Sequence, residues 1–287
     1  MPAKKETAAT KAAPKKAAAK PVVKKTTKTA AAEPKTATKK ATKPKLDPIL
    51  RQLLESGAHF GHQASRWNPK MAQYIYTTRG GVHIIDLTQT AEQLKAAKNF
   101  VEGVTKSGGK VLFVATKRQA KAAVEAAAKE AGMPYVTYRW LGGMLTNLDT
   151  ISRRVLRLKK LRTESAETGF SAMSKKDRAA TEREMEILER TFAGVADMDS
   201  VPQAVFVVDM LREHTAMAEA HKLNLPVIAM CDTNADPEQA EYPIASNDDA
   251  ISAIKLIVGE LAAAAKTGAS LYAEKTAKEA ATKEETE

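Results

Sequence analysis

Two short apolar runs, Ala204–Val208 and Val227–Cys231, place the tightest constraint on the fold of this chain. Continuous apolar runs of this length are typical of strands that are buried on both faces, as in a parallel sheet. Parallel strands need a crossover connection, and the mixed polar and apolar segment Met210–Asn224 is long enough to form a helix between them. We therefore predict a right-handed β-α-β unit over residues 204–231.

The rest of the body alternates in the same way. Residues 111–115 and 135–138 are strand-like, residues 119–131 are Ala-rich and helix-like, and residues 242–245 resemble a short edge strand before a last helix over 250–265. An opening unit precedes them, with a helix over 47–56 and a hairpin that turns at Gly80–Gly81. This alternation predicts an α/β fold, doubly wound around a mainly parallel sheet.

Residues 146–193 interrupt that alternation with two apolar stripes at helical spacing. We predict an inserted antiparallel helical hairpin, joined through residues 169–171. Its first arm is basic and its second is acidic. A charged helix face is usually only solvated, but a protruding basic arm is also well placed to meet RNA. The basic arm contains Arg153, Arg154, Arg157, Lys159, Lys160 and Arg162.

The two ends of the chain differ from the body in composition. Residues 1–45 contain fourteen lysines, no arginine and two glutamates, a charge of +12, whereas the whole chain carries +11. We predict that this Lys/Ala/Pro-rich tail is disordered and lies along nucleic-acid phosphates, with a solubilising or targeting tail as the alternative. Residues 266–287, rich in Ala, Lys and Glu, are predicted to be a second frayed or disordered tail.

The composition also narrows the function classes. A single cysteine, Cys231, allows no internal disulfide and fits a reducing compartment such as the cytoplasm. No apolar run approaches the ~20 residues of a membrane span, so we expect no membrane partner. The glycine pairs do not form a dinucleotide-binding fingerprint or a Walker loop.

Enzymatic and metal sites would be expected at the carboxyl edge of the sheet, where Asp209 and Asp232 follow the two defining strands. An acid/base pair of these aspartates and a nucleophilic Cys231 are the catalytic alternatives, and a buried inert thiol is the favoured interpretation of the cysteine. We assign no catalytic residue, no cofactor and no definite metal site. The candidates for a structural metal ion are His59, His62, Asp232 and Asp236.

Nucleic-acid contacts are the better-supported alternative. Two arginines each adjoin a tryptophan, and guanidinium groups pair with phosphate while aromatic rings stack on unpaired bases. The loop Gly142–Asn147 before a helix could cradle a phosphate, although a tight turn capped by Thr146 or Asn147 is the preferred interpretation. The predicted RNA-binding residues are Arg66, Trp67, Asn68, Lys70, Arg79, Lys117, Arg118, Arg139, Trp140, Asn147, Arg153, Arg154, Lys159 and Lys160.

Ordered motifs across residues 46–265 resemble the bacterial ribosomal protein S-two family. The first group is LESGAHFGH at 54–62, RWNPKM at 66–71, VHIIDL at 82–87, RWLGG at 139–143 with Thr146 and Asn147, and SKKD at 174–177. The second group is FVVD at 206–209, Glu213–His214, Leu225–Pro226, DTN at 232–234 and NDDAI at 247–251.

The resemblance implies a flavodoxin-like α/β domain that carries the helical hairpin. It implies a structural, non-enzymatic role in translation, on the solvent side of the small ribosomal subunit between its head and body. The implied partners are small-subunit ribosomal RNA, ribosomal protein S-one and the head proteins, with no DNA partner. Arg66, Lys70 and Arg139 are the RNA contacts that it supports. The tail of residues 1–45 departs from the usual family pattern.

Overall fold

The computed structural model describes residues 47–171 and 173–284, with side chains described as far as residue 279. Within these residues the chain forms seven α-helices and eight β-strands. The helices are α1 Pro48–Glu55, α2 Leu87–Lys106, α3 Lys121–Ala131, α4 Leu148–Thr168, α5 Lys175–Phe192, α6 His214–Lys222 and α7 Ile251–Glu284. The strands are β1 Phe60–Gln63, β2 Ile75–Arg79, β3 Val82–Ile85, β4 Val111–Val114, β5 Tyr135–Val136, β6 Ala204–Val208, β7 Val227–Cys231 and β8 Tyr242–Ala245. The predicted tail of residues 1–45 lies outside the described residues.

The central sheet has the strand order β5-β4-β6-β7-β8, and every neighbouring pair is parallel. Counted from β4, this is the order 2-1-3-4-5 of flavodoxin-like folds. The predicted doubly wound α/β fold is therefore confirmed, and α6 is the predicted crossover between β6 and β7. Strands β4, β6 and β7 are buried along their whole length, as continuous apolar runs in a parallel sheet should be.

The two faces of the sheet carry separate parts of the core because successive side chains of a strand point to opposite faces. Phe113 and Phe206 pack edge to face, with ring centroids 5.4 Å apart, on the face covered by α2, α3 and α7. Val205 and Val207 face the other way, toward α6 and the apolar stripes of α4 and α5. The inserted helical hairpin, α4 and α5, thus packs its apolar side into the same core as the sheet.

A second, antiparallel sheet of three strands has the order β1-β3-β2. The predicted hairpin of β2 and β3 is present, and Gly80 and Gly81 turn it with φ values of +60° and +78°, which glycine adopts most readily. Strand β1 was not predicted. It runs beside the end of β7, where a Cβ atom on Gly61 would stand 2.5 Å from Thr233 Cγ2. Glycine at this position therefore lets the two strands approach closely.

The C-terminal helix corrects one prediction. Residues 266–287 were predicted to be a frayed or disordered tail, but α7 continues into them as far as Glu284. The extension is held by α2: Gly268 is buried against Thr105, and Tyr272 reaches Gly108 at the end of α2. Among residues 47–284, no helix is both long and apolar enough to cross a membrane.

Candidate functional site

The carboxyl edge of the central sheet collects charged side chains, as the sequence predicted, but most of them neutralise one another. Lys117 follows β4, and its Nζ lies 2.8 Å from Asp248, 2.7 Å from Asp249 and 3.4 Å from Asp209. Burial opposes the charge on Lys117, but these carboxylates outweigh it and raise the lysine pKa. Lys117 is buried and paired three times, so its charge is used within the protein, and its RNA contact stays a prediction.

The second cluster at this edge contains His62, Asp232 and Asp248. The His62 Nδ1 lies 3.0 Å from Asp232 Oδ1, and this hydrogen bond is the main reason that the pKa of His62 is raised. Burial, followed in importance by repulsion from the negative charges of Asp232 and Asp209, raises the pKa of Asp248 to about 7. One ligand atom from each of the three residues lies within 4.8 Å of the others. One imidazole and two carboxylates are a donor set that divalent cations accept.

The remaining two metal candidates lie elsewhere, so the predicted set needs correction. Asp236 pairs with Lys70 at 2.8 Å, and the hydrogen bond from Lys70 lowers the pKa of Asp236. His59 is partly buried against the ring of Phe60, at a centroid distance of 4.0 Å, and burial lowers its pKa. Asp248 takes the place that the sequence analysis gave to these two residues.

The catalytic alternatives find no support in the geometry. The Cys231 thiol is buried, its Sγ lies 3.0 Å from Met210 Sδ, and burial raises its pKa, so the thiolate that a nucleophile requires is disfavoured. Asp209 is engaged by Lys117 and by the backbone N–H of Arg212, whereas Asp232 is engaged by His62. The two aspartates therefore have different direct partners, and they are linked only indirectly, because Lys117 also pairs with Asp248 and the Asp248 backbone N–H donates to Asp232.

The loop before α4 does bind an anion, but the anion is a side chain of the protein. The carboxylate of Glu219, on α6, accepts hydrogen bonds from the backbone N–H groups of Gly143, Leu145 and Thr146 at 2.8 to 3.1 Å. It also accepts from the Thr146 hydroxyl and from Trp140 Nε1. The preferred interpretation of a tight turn holds, and Asn147 is the N-cap residue of α4, although its side chain makes no capping hydrogen bond and the Thr146 hydroxyl bonds to Glu219 instead. A phosphate is not needed to satisfy this loop.

The hydrogen bond to Glu219 also fixes the position of the Trp140 side chain. The indole is buried in the core, and its N–H donates to Glu219 at 3.0 Å. The Trp140 ring is therefore part of the core and is not presented for stacking on a base, and its RNA contact stays a prediction. Burial alone would raise the pKa of Glu219, but the surrounding donors outweigh it and the pKa is lowered. A glutamate in a helix carries no sequence signal for this task, which is why Glu219 was missed.

Most of the other predicted RNA-binding residues are exposed, and they differ in how many partners they have. Lys70 pairs with Asp236 and Glu238, and Lys159 lies 3.7 Å from Asp197. The Asn68 side chain caps the turn that follows it by accepting from Lys70 N, and Asn147 is exposed where α4 begins. A group of seven cations is exposed and has no ion pair among the residues that the structure describes. We name them the free cations, and they are Arg66, Arg79, Arg118, Arg139, Arg153, Arg154 and Lys160.

Three of the free cations stand at the carboxyl edge of the sheet. Arg118 follows β4 and Arg139 follows β5, so both stand at that edge. Arg66 is brought there by the chain after β1, because the backbone N–H of Asn68 donates to Thr233 O at 2.7 Å, beyond the end of β7. Trp67, next to it, is 39% exposed and packs on His83 at a centroid distance of 5.2 Å. Guanidinium groups and one accessible indole are thus presented together.

Comparison with known proteins gives one consistent result. A sequence model of the family described as "Ribosomal protein S2" matches residues 53–268. The small ribosomal subunit protein uS2 of Corynebacterium kroppenstedtii is 49% identical over 232 residues, covering 80% of this chain and 81% of that protein. The proteins of the same name from Rhodococcus jostii and Nocardia farcinica are each 51% identical, over 80% and 76% of this chain and 78% and 77% of their own lengths.

Proposed function

Since this chain belongs to the ribosomal protein S2 family, we propose that it binds small-subunit ribosomal RNA through its free cations, at the junction of head and body. Family membership makes it a structural component of the bacterial small ribosomal subunit that supports translation, and not an enzyme. The protein therefore functions in the ribosome, in the bacterial cytoplasm. The proposal concerns which surface of the protein meets the RNA.

The observation that carries the proposal is the contrast between paired and unpaired cations. Arg157 and Arg162 on α4 are held by Glu184 and Glu189 at 2.9 and 2.6 Å, whereas Arg153, Arg154 and Lys160 on the same helix are left without such partners among the described residues. An unpaired guanidinium keeps its fork of donors available for phosphate oxygens. The free cations are therefore the predicted residues best suited to contact an RNA backbone.

Protein neighbours form the second part of the proposal. We propose that the hairpin of α4 and α5, whose second arm is acidic, contacts head proteins and ribosomal protein S-one. Leu156 on α4 and Ile187 on α5 are each 57% exposed, which supports a protein contact on this hairpin. Cross-linking of assembled small subunits from positions 156 and 187 should yield protein adducts. Adducts to RNA alone would contradict this part.

The RNA surface is tested by removing two free cations together. In the full chain, Arg66→Ala with Arg139→Ala should reduce occupancy of small subunits and weaken binding to subunits that lack this protein. Each phosphate contact contributes about 0.7 to 0.9 to the slope of log affinity against log salt, so the double variant should lose about 1.4 to 1.8 of that slope.

The matched control removes the same charge from cations that already have partners. Arg51→Ala with Arg178→Ala breaks two exposed ion pairs with Glu55 and Glu182, four residues further along their helices. This variant should keep nearly all of the occupancy and the salt slope. Equal losses in the two double variants would mean that net charge, rather than the surface around the carboxyl edge, drives binding.

A structural cation is the second candidate, and the cluster of His62, Asp232 and Asp248 is the specific observation that favours it. We propose that a divalent ion bridges β1 to the ends of β7 and β8 there, with Lys117 balancing the remaining carboxylate charge. Metal content of the purified chain should fall on changing His62→Ala and persist in the control His59→Ala. An equal metal content in both variants would rule out His62 as a ligand.

A further inference from the structure

Strand β2 is unusually exposed to solvent for a strand of a folded sheet. Its residues Tyr76, Thr77, Thr78 and Arg79 are all exposed, one after another. Successive residues of a strand point to opposite faces, so exposure at four consecutive positions leaves both faces open. The strand also lies at the edge of the three-stranded sheet, next to β3 only. A strand that is exposed on both faces and along one edge can bind a partner there.

Tyr76 is the most prominent side chain on this strand. It is 77% exposed, more than any other large apolar side chain that the structure describes. The pairing of β2 with β3 shifts register between Ile75 and Thr77, which places Tyr76 at a bulge. Bulges at sheet edges re-aim side chains. Within residues 47–171 and 173–279 the Tyr76 ring stacks on no other ring and its hydroxyl has no hydrogen-bond partner, so it does not contribute to the core.

The charge around Tyr76 indicates which kind of partner it meets. Residues 60–85 contain Arg66, Lys70 and Arg79 but no aspartate or glutamate. Arg79 stands at the turn of the hairpin, next to Gly80 and Gly81, and a Cβ atom on either glycine would meet nothing within 4 Å. The backbone is therefore open where a polyanion would approach, and no carboxylate of this segment would repel it.

We propose that Tyr76 stacks on an unpaired base of small-subunit ribosomal RNA while Arg79 pairs with a neighbouring phosphate. This inference rests on the proposed function and adds a site to it. An exposed aromatic ring and a free guanidinium three residues apart on one strand are a combination that binds single-stranded RNA, because every base has a stacking face and every nucleotide has a phosphate. A protein strand added to the β2 edge is the other possible occupant, and the lack of acidic residues in the segment 60–85 favours RNA.

The test compares Tyr76→Ala with Tyr76→Phe in the full chain, binding to purified small subunits that lack this protein. Since the side chain is exposed, both variants should keep the wild-type Tm. Tyr76→Ala should lower affinity about tenfold with an unchanged salt slope, because stacking is not ionic, whereas Tyr76→Phe should stay near wild type. Arg79→Ala should reduce the salt slope by about 0.7 to 0.9.

Ultraviolet cross-linking of assembled subunits identifies the occupant directly. The peptide that carries Tyr76 should be recovered attached to RNA. Wild-type affinity of Tyr76→Ala, or recovery of this peptide attached to protein, would overturn the inference. If that happens while the variant lacking Arg66 and Arg139 still binds weakly, the proposed function stands without the Tyr76 site. If neither variant loses affinity, the proposed function fails as well.

Discussion

Adjacent residues of the same charge have opposite roles in this protein. Lys117 is buried and surrounded by three carboxylates, while Arg118 beside it is exposed with no ion pair among the described residues. From the sequence alone, two adjacent cations predict a single basic patch. The difference arises because Asp248, some 130 positions away, is brought beside Lys117 at the end of β8. Charge becomes available for binding only where the fold leaves it without an internal partner.

Glu219 offers a sharp test of this internal pairing. Replacing Glu219→Gln keeps the shape of the side chain but removes its charge and turns an amide NH₂ toward groups that are themselves donors. We expect a loss of about 3 kcal/mol in the free energy of unfolding at pH 7, since hydrogen bonds to charged groups are strong and the buried donors would be left unsatisfied. Urea denaturation measures the loss.

The pH dependence of that loss follows from the direction of the pKa shift. The pKa of Glu219 is lowered in the folded protein, so its contribution is complete above the unfolded value near 4.3 and disappears as pH falls through the folded pKa. The difference between wild type and Glu219→Gln should therefore shrink below pH 4. A difference that stays constant with pH would show that packing, rather than charge, is responsible.

Glu213 is the matched control for this experiment. It is also a buried glutamate, and it accepts hydrogen bonds from the backbone N–H and hydroxyl of Thr116. Burial outweighs these bonds and raises its pKa, so the ionised form is disfavoured in the folded state. Glu213→Gln, which keeps an acceptor for Thr116, should change the free energy of unfolding by less than about 1 kcal/mol at pH 7. A large loss here would remove the contrast on which the Glu219 prediction depends.

Among the elements, the pairing of α2 with α7 depends on small residues where the two helices meet. The Ala-rich stretch of α7 buries Ala262, Ala264 and Ala265 on the sheet side, and Gly268 continues that contact past the end of the sheet. A Cβ atom at Gly268 would stand 2.0 Å from Thr105 Oγ1 and 2.5 Å from the carbonyl oxygen of Glu102. The lack of a side chain at this position therefore sets the distance between the helices.

Two glycines of the same helix give opposite predictions. Gly268→Ala should destabilise the protein by about 1 to 3 kcal/mol, because the backbone carbonyl of Glu102 cannot move aside as a flexible side chain would. Gly259→Ala meets nothing within 4 Å and should stabilise α7 by up to about 1 kcal/mol. Thermal unfolding of both variants tests the pair. If Gly268→Ala is neutral, the close approach of α2 and α7 is wrong.

The elements also separate what the sequence could predict from what it could not. Strands β4, β6 and β7 and the crossover α6 were predictable because their apolar runs are continuous and their connections are short. Strand β1 was not, since its residues FGHQ show no alternation and it forms only by pairing with β3. The extension of α7 was missed because its composition resembles a tail, and only contact with α2 reveals its role. Candidate cations were found by type, but Glu219 and Asp248 required the fold.

At the scale of the whole molecule, charge is distributed unevenly between the tail of residues 1–45 and the rest of the chain. Residues 1–45 carry +12, so the rest of the protein is close to neutral at −1. Within the body, the free cations supply local positive charge, three of them at the carboxyl edge of the sheet, and many of the other charged side chains form internal ion pairs. A nearly neutral body is positioned on RNA by a few contacts, whereas a polycationic tail adds affinity for phosphates that does not depend on the RNA sequence. The two contributions should therefore be separable by their response to salt.

Deleting residues 1–45 provides that separation. Fourteen lysines that release counterions would steepen the salt dependence of RNA binding, so the deletion should weaken affinity and flatten the slope of log affinity against log salt by several units. A full-length variant with the tail lysines changed to glutamine controls for length and should behave like the deletion. Because Tyr76 stacking is not ionic, its contribution should persist in the shortened chain as the same fold-change. An unchanged slope after deletion would mean that the tail makes no phosphate contacts and that the body alone holds the RNA.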